Sequence, residues 1–447
     1  MNIHKQTHIA PLAIFRIVFG AILFFSIIRF IANGWVHDLY IETQLYFPYY
    51  GFEWVKPLPE SIMYLVFGGM ALSFLFQALG LFYRFASIFS FAAFTYVELI
   101  DKTNYLNHYY FVSIICFLLI FVPAHRYFSL DVWRKPSLKR TTIPYYFIFI
   151  FQVQLSIVYF FAGLAKLNYD WMVEALPLKI WLPAKANLPL IGGLLEKEWI
   201  AYLFSWFGAI YDLSIAFLLF YKPTRWLAYF LVIIFHLFTY WLFPIGMFPF
   251  IMIGATLIFF SVDFHRNIIN SLKKLFKISL AEQEPSIKLT PKAPKLWTTF
   301  FLLFFLGQLI IPLRSLAYPG NLYWTEEGYR FSWRVMLMEK AGYAIFHVTN
   351  PTNGNTWEVN NYDFLSANQE KMMSTQPDMI LQFAHFLENH YQKQGIKNPI
   401  ITAEIYVSLN GSPSQLFIDP SIDLTEIDDS FAHKEWILKL DPKAGNE

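Results

Sequence analysis

Cysteine is nearly absent. One, Cys116, stands in 447 residues, so no disulfide can form within the chain and no paired-cysteine metal site exists. Charge is scarce as well: 15% of residues are charged, against 56% hydrophobic and 20% aromatic. That balance excludes an ordinary soluble core and fits a chain that crosses a membrane many times. There is no glycine-rich phosphate loop and no HExxH pair, and neither a metal nor a nucleic-acid partner is expected. The net charge of +2 says little, because the charges are unevenly placed. The first apolar run is too long for a signal peptide and lacks a small-residue cleavage site, so no cleavable leader is expected.

What is present is a succession of apolar runs. Nine approach the roughly 20 residues needed to span a hydrocarbon core: 11–33, 61–82, 85–100, 108–123, 144–165, 199–221, 225–243, 246–262 and 297–313. The expected architecture is a polytopic α-helical membrane bundle over 1–313, followed by an extramembrane α+β domain over 314–447. If the N-terminus is cytoplasmic, loops on that side hold Arg84, Arg126, Arg134, Lys135, Lys139, Arg140, Lys222, Arg225 and a basic stretch from Arg266 to Lys295 that includes Lys292. The opposite loops hold only Lys56, Lys102, Lys166, Lys179, Lys185 and Lys197. This asymmetry follows the positive-inside rule and sets the C-terminal domain outside. Segment 263–296 reads as a cytoplasmic amphipathic stretch at the headgroups.

In the C-terminal part, FSWRVMLME (331–339), YAIFHVTN (343–350) and NTWEVNN (355–361) read as a β-meander. An amphipathic helix is expected over Asp378 to Lys393, entered after Pro377. TAEIYVSLN and SQLFID read as a hairpin across Gly411-Ser412-Pro413. Asn410-Gly411-Ser412 has the form of a glycosylation acceptor, but Pro413 follows it.

Lys166, in YFFAGLAKLNYDW (159–171), admits two readings. At the outer end of the fifth span, a lysine can send its ammonium to the headgroups. Alternatively it is a base: burial disfavours an ammonium, and a neutral amine takes a proton from a weak acid such as a phenol. DKTNYLNHYY (101–110) concentrates Asn104, Asn107 and His108 on the same side, either as a polar turn capped by Asn107 or as part of a site. Glu98 and Lys102, four residues apart, are a plausible local pair. Arg16, Arg29, Asp212 and His236 stand within spans, where ionisable groups are costly and take partners. Depth favours Arg16 as the partner of Asp212. His236 is either a hydrogen-bonded core histidine or a site residue. Lys166, His108 and His236 all fall in the outer half, where a chamber would admit a lipid-soluble reactant from the bilayer and a polar one from outside. The abundant aromatics suit a quinone, and equally suit packing and interfacial belts.

These same segments resemble the vitamin K-dependent γ-glutamyl carboxylase family, with an HTTM-like membrane domain. AGLAKLNYDW (162–171) resembles the segment around the family's catalytic lysine and implies that role for Lys166. DKTNYLNH (101–108) resembles the segment of a catalytic histidine and implies that role for His108. HRYFSLD, YDLSIAFLLF and FHLFTYWLFPIGMF are similar to further family segments. LYWTEEGYRFSWRVML (322–337) resembles the glutamate-binding region, which makes Trp324, Tyr329 and Trp333 the expected substrate-binding residues. YVSLNGSPSQLFIDPSIDL is similar to a later block. Asn107, His236 and Tyr159 are the expected cofactor-binding residues. The vertebrate enzymes carry two adjacent lysines where this chain has Ala165-Lys166, and a cysteine pair that is missing here. The chain stops soon after Pro442, and its size suits a bacterial relative.

The resemblance implies a carboxylase that couples oxidation of reduced vitamin K (phylloquinol or menaquinol) by O2 to addition of CO2 at the γ-carbon of glutamate. Its partners would be membrane lipid, the lipid-soluble quinol and a glutamate-containing peptide or protein. It would be a multi-pass protein of a bacterial inner membrane. Two other functions remain open: a quinol epoxidase that does not carboxylate, and a non-enzymatic membrane binding or transport protein on the same scaffold.

Overall fold

A computed structural model describes residues 2–277, 287–290 and 294–441. The bundle comprises α1 (Ala10–Ala32), α2 (Glu60–Leu79), α3 (Tyr83–Ile100), α4 (Asn107–Phe121), α5 (Tyr146–Ala165), α6 (Glu198–Phe220), α7 (Arg225–Leu242), α8 (Phe248–Thr256), α9 (Val262–Leu275) and α10 (Pro294–Leu313). A short antiparallel pair, β1 (Gln6–His8) with β2 (Thr142–Pro144), ties the chain start to the segment before α5. All nine apolar runs are helical, but the span count differs from nine. Among the described residues, α1, α2, α5, α6, α7 and α10 are long and apolar enough to cross a membrane. A seventh span is present if the pair α8–α9, bent by 115°, is counted as one. The reasons are local. α4 has 15 residues, roughly 22 Å of helix against a hydrocarbon core of about 30 Å. α3 carries Arg84, Ser87, Ser90, Thr95 and Glu98 among its apolar residues. The amphipathic reading of 263–296 holds over α9, which buries His265 and Ile269 and places Lys273 and Lys274 in its last turn. Residues 278–286 and 291–293, Lys292 among them, and Pro442 lie outside the described residues.

Two glycines set close helix crossings. A Cβ on Gly20 of α1 would lie 2.7 Å from the Ala78 nitrogen of α2, and one on Gly163 of α5 would lie 2.8 Å from the Leu213 nitrogen of α6. Small residues at such points let helix backbones approach. Arg16 is fully buried at the α1–α2 crossing. It does not pair with Asp212 as depth suggested. Its Nη1 donates to the carbonyls of Gln77 and Ala78, and its Nη2 to that of Phe128, each at 2.7 Å. The two terminal nitrogens are thus held largely by carbonyls at the C-terminal end of α2, where helix carbonyls lack internal partners and favour positive charge, while Nε is buried without a partner.

Beyond α10, four antiparallel strands stand in the order β4-β3-β5-β6: β3 (Lys340–Thr349), β4 (Thr356–Val359), β5 (Ile400–Leu409) and β6 (Gln415–Leu416). Ala344, Phe346 and Val348 of β3 alternate with more exposed residues, as do Ile401, Ala403, Ile405 and Val407 of β5. The buried face is covered by α12 (Pro377–Lys393), which follows α11 (Ala367–Met373) and buries Met379, Ile380, Phe383 and Leu387. The helix begins at Pro377, one residue before the expected start at Asp378, and the β5–β6 hairpin crosses Gly411-Ser412-Pro413 as read from the sequence. The strand expected over 331–339 is absent. Glu326, Phe331, Trp333 and Met336 all have positive φ, between 53° and 62°, a conformation that breaks a pleat and is costly outside glycine.

The irregular segment 326–336 is held between bundle and sheet. Lys102, in the turn after α3, pairs with Asp378 at 2.7 Å rather than with Glu98, and Arg330 meets the same carboxylate at 2.7 Å. Burial alone would raise the Asp378 pKa, but Arg330 and Lys102 outweigh it and hold the carboxyl well below the usual carboxylate range. Gln369 donates to the Leu45 carbonyl at 2.6 Å and to Asp101 at 3.2 Å, extending the contact.

Asp378→Ala would leave two largely buried cations without their acid. Thermal unfolding in detergent should show a loss approaching the roughly 3–5 kcal/mol of a broken buried pair. Lys179→Met, which opens the more exposed pair with Glu198, should change little. Gly163→Val, forced against the α6 backbone, should cost about 1–3 kcal/mol in the same measurement.

Candidate functional site

Helix α5 stops at Ala165, and Lys166 follows as its C-terminal cap residue. It does not snorkel. Gly163 meets Leu213 and Lys166 meets Gly208, so α5 and α6 run antiparallel, and α6 continues ten residues further to Glu198, roughly 15 Å. The end of α5 is therefore set well below the end of its neighbour. Helical side chains tilt toward the helix N-terminus, so the long arm of Lys166 turns back into the bundle. Its Nζ donates to the Ala162 carbonyl at 3.3 Å and to Asp212 Oδ2 at 2.6 Å. Both side chains are under one-tenth exposed. The Trp171 ring lies 5.4 Å from the amine and is itself held by its indole N–H on the Ser205 carbonyl at 2.9 Å. Asn168 caps the short helix that carries Trp171.

Lys166, Asp212, Tyr159 and His236 line a cavity of about 200 Å3 whose remaining wall is overwhelmingly apolar, with Phe111, Phe204, Phe207, Phe235, Phe238 and Phe248 prominent. An apolar cavity of about 150 Å3 already accepts benzene, so an aromatic ring system fits this one. Tyr159 Oη stands 3.1 Å from His236 Nε2, while His236 Nδ1 is buried with no hydrogen-bond partner. Phe207 and Ile234 line the cavity and are also about half exposed on the outside of α6 and α7, so the chamber reaches the apolar surface of the bundle.

His108 does not join this cavity. It faces a neighbouring one of about 470 Å3 together with Arg29, Lys102, Glu326, Tyr329, Arg330 and Arg334. The two cavities share Asn107, Ile245, Phe248, Val335 and Met336. Phe248 stands between the histidines, with its ring 5.6 Å from His108 and 5.5 Å from His236. Asn107 does not cap α4. Its amide donates to the Arg334 carbonyl at 2.8 Å and accepts from Tyr105 Oη at 3.0 Å, which fastens segment 326–336 over both cavities. The second cavity is basic. Lys102 and Arg330 share Asp378 and Glu326 pairs with Lys340, but among the described residues neither Arg29 nor Arg334 meets a carboxylate within 4 Å. Arg334 donates to Ser315 at 3.2 Å, and its Nε is buried without a partner.

Of the tryptophans and tyrosine singled out in 322–337, Trp333 lines the first cavity, stacked 4.9 Å from Tyr110, and Tyr329 lines the second. Trp324 lies apart from both. It is packed edge-on against Phe417 and bonded to the Leu438 carbonyl at 2.7 Å, within the sheet domain's core. Its neighbour Tyr323 reaches the site instead, donating to the Ala165 carbonyl at 3.1 Å beside Lys166. Asn410 is engaged too, donating to Asp170 at 2.7 Å. Asp212, Arg334 and Phe248 were not read as site residues in the sequence. The small residues Gly163 and Gly208, one near each end of the ion pair, are the signal that could have joined Lys166 to Asp212.

Two family models match the chain. The HTTM domain covers residues 4–264, more than half of it, and the vitamin K-dependent gamma-carboxylase lumenal domain covers residues 293–443. No solved structure matches. Together with the apolar helices, these matches make the protein an integral membrane protein. The chain belongs to the vitamin K-dependent gamma-glutamyl carboxylase family.

Proposed function

We propose that the chain is a γ-glutamyl carboxylase that couples oxidation of reduced vitamin K by O2 to carboxylation of glutamyl side chains by CO2. The observation that carries this reading is the adjacency of two unlike chambers, one apolar around a buried amine and one basic, across a shared wall. The first suits the quinol. Its aromatic walls bind flat rings, its opening between α6 and α7 faces the bundle's apolar surface, and His236 and Tyr159 offer polar contacts to a ring hydroxyl. Reduced vitamin K, when bound, supplies the oxidisable quinol whose conversion to the epoxide generates the strong base that a γ-C–H requires. Lys166 takes the phenolic proton. The apolar lining excludes water that would quench the base.

The second chamber suits the acidic partner. Arg29 and Arg334 have no carboxylate within 4 Å among the described residues, and Tyr329 lines the same chamber. His108 belongs to this polar wall, with Phe248 rather than open space between it and the quinol chamber. Residues 314–447 then form the substrate-binding part, on the outer face of a bacterial inner membrane, as the charge asymmetry of the loops favours.

The test is the purified protein in lipid or detergent with reduced vitamin K, O2, labelled bicarbonate and a glutamyl peptide. Epoxide together with fixed label is the expected result. Epoxide alone, across several peptides, would leave an epoxidase, and neither product from folded protein would leave a binding or transport protein. Lys166→Ala should lower both products by about 10²-fold or more. Arg334→Gln should raise KM for the peptide by about 10- to 100-fold, the worth of a hydrogen bond to a charged group, with KM for the quinol unchanged.

A further inference from the structure

We propose that Asp212 is a positioning residue that also holds the proton for Lys166, so that the base of this site is the pair and not the amine alone. The proposal rests on the reading of Lys166 as the base. An ammonium has no lone pair with which to accept a proton, and Lys166 is seated against a carboxylate at 2.6 Å. Lys166 is the one hydrogen-bond donor to the Asp212 carboxylate among the described residues. The acceptor in this corner is therefore the carboxylate, reached through the amine.

The step balances. The phenolic O–H bond breaks and its electron pair stays on oxygen. Nζ of Lys166 passes one of its own protons to Asp212 Oδ2 and, with the lone pair so freed, gains the phenolic proton in the same exchange. The pair begins as ammonium and carboxylate and ends as ammonium and carboxylic acid, one charge more positive, while the quinol becomes one charge more negative. No further reactant is needed. Lys166 is an ammonium before and after the exchange and faces the new anion. The surroundings favour this arrangement. A separated charge in an apolar chamber is costly, and the pair never leaves the amine or the carboxylate charged and alone.

Other titratable groups around the pair are Tyr159 on α5, Tyr211 on α6 and His236 on α7. Tyr159 and His236 are engaged with each other. On the short helices packed against α6, Asp170 accepts from Asn410 and Lys179 pairs with Glu198. No second cation faces Asp212 among the described residues.

Quinol oxidation is to be followed against pH for the wild type, Asp212→Asn, Asp212→Glu and Lys166→Ala in lipid nanodiscs, with quinone binding read by tryptophan quenching. The expected result for Asp212→Asn is retained binding, a loss of about 10²-fold or more near neutral pH, and a rate that climbs with pH as the amine loses its own proton. Asp212→Glu should restore a profile of wild-type shape. Asp212→Asn with a wild-type pH profile, whatever its rate, would show that Asp212 only places the amine and would overturn the proposal. If Lys166→Ala oxidises quinol at the wild-type rate, or the wild type oxidises none, the base reading falls and takes this proposal with it. A second measurement needs no variant that might misfold: infrared difference spectra of anaerobic wild type with and without reduced vitamin K. A carboxylic acid C=O band, shifted by labelled aspartate, should appear on binding, and its absence would overturn the proposal.

Discussion

The Lys166–Asp212 ion pair, closed at 2.6 Å inside an apolar bundle, is the constraint around which the rest is arranged. Taking two charges out of water is costly, and only close, well-aimed pairing offsets it. Here the closeness is a backbone property. Gly163 lets α5 touch the α6 main chain at Leu213, the residue after Asp212, and the lysine stem passes Gly208 one turn away. Ending α5 at Lys166 while α6 continues past it opens a recess, and the segment carrying Trp171, Leu178 and Trp181 roofs it. Tyr323 then reaches down from the C-terminal part to the last carbonyl of α5. Pair, recess and roof are thus one feature of the chain.

The second constraint is segment 326–336. Its four non-glycine residues in the left-handed region are held from both sides: by Asn107 and Tyr105 from the bundle, and by the Lys102–Asp378–Arg330 cluster from the sheet domain. Such backbone persists where its surroundings determine it. The irregular path that follows sends Trp333 to the apolar cavity and Tyr329, Arg330 and Arg334 to the basic one, with Val335 and Met336 lining both. A regular strand, alternating strictly between two faces, would have put Tyr329 on the same face as Trp333.

These two features also mark where the sequence stops being legible. The helices, α12 behind Pro377 and the β5–β6 hairpin follow from local periodicity and turn chemistry, and all are found. The partner of Asp212 does not follow, because depth counted along each span assumes that every span begins and ends at the same level. α5 violates that assumption, and Arg16 is claimed by carbonyls that carry no sequence signature. Lys102 was paired with Glu98 by helical spacing, but the helix ends at Ile100, so the spacing does not apply. The alternating pattern of 331–339 predicted a strand, yet a segment clamped at both flanks by buried polar contacts is free to leave the pleat. Trp324 and Tyr323 exchange roles for a related reason: adjacent residues of a short helical turn point in different directions, and only packing decides which one faces the site.

A shared wall between two chambers is what coupled chemistry of the proposed kind asks of a protein. A base strong enough to break a γ-C–H bond must be formed without water, in an apolar enclosure. A glutamyl side chain must be held by cations, which bring water with them. One chamber cannot have both linings. Placing the cations beyond Asn107, Phe248, Val335 and Met336 keeps the two environments within a side chain's thickness of each other while their solvation differs. The wall is drawn from three separate parts of the chain: the start of α4, the start of α8 and segment 326–336. The separation therefore exists only when bundle and sheet domain are joined, which is why the cluster around Asp378 bears on the chemistry although it touches neither the amine nor the apolar chamber.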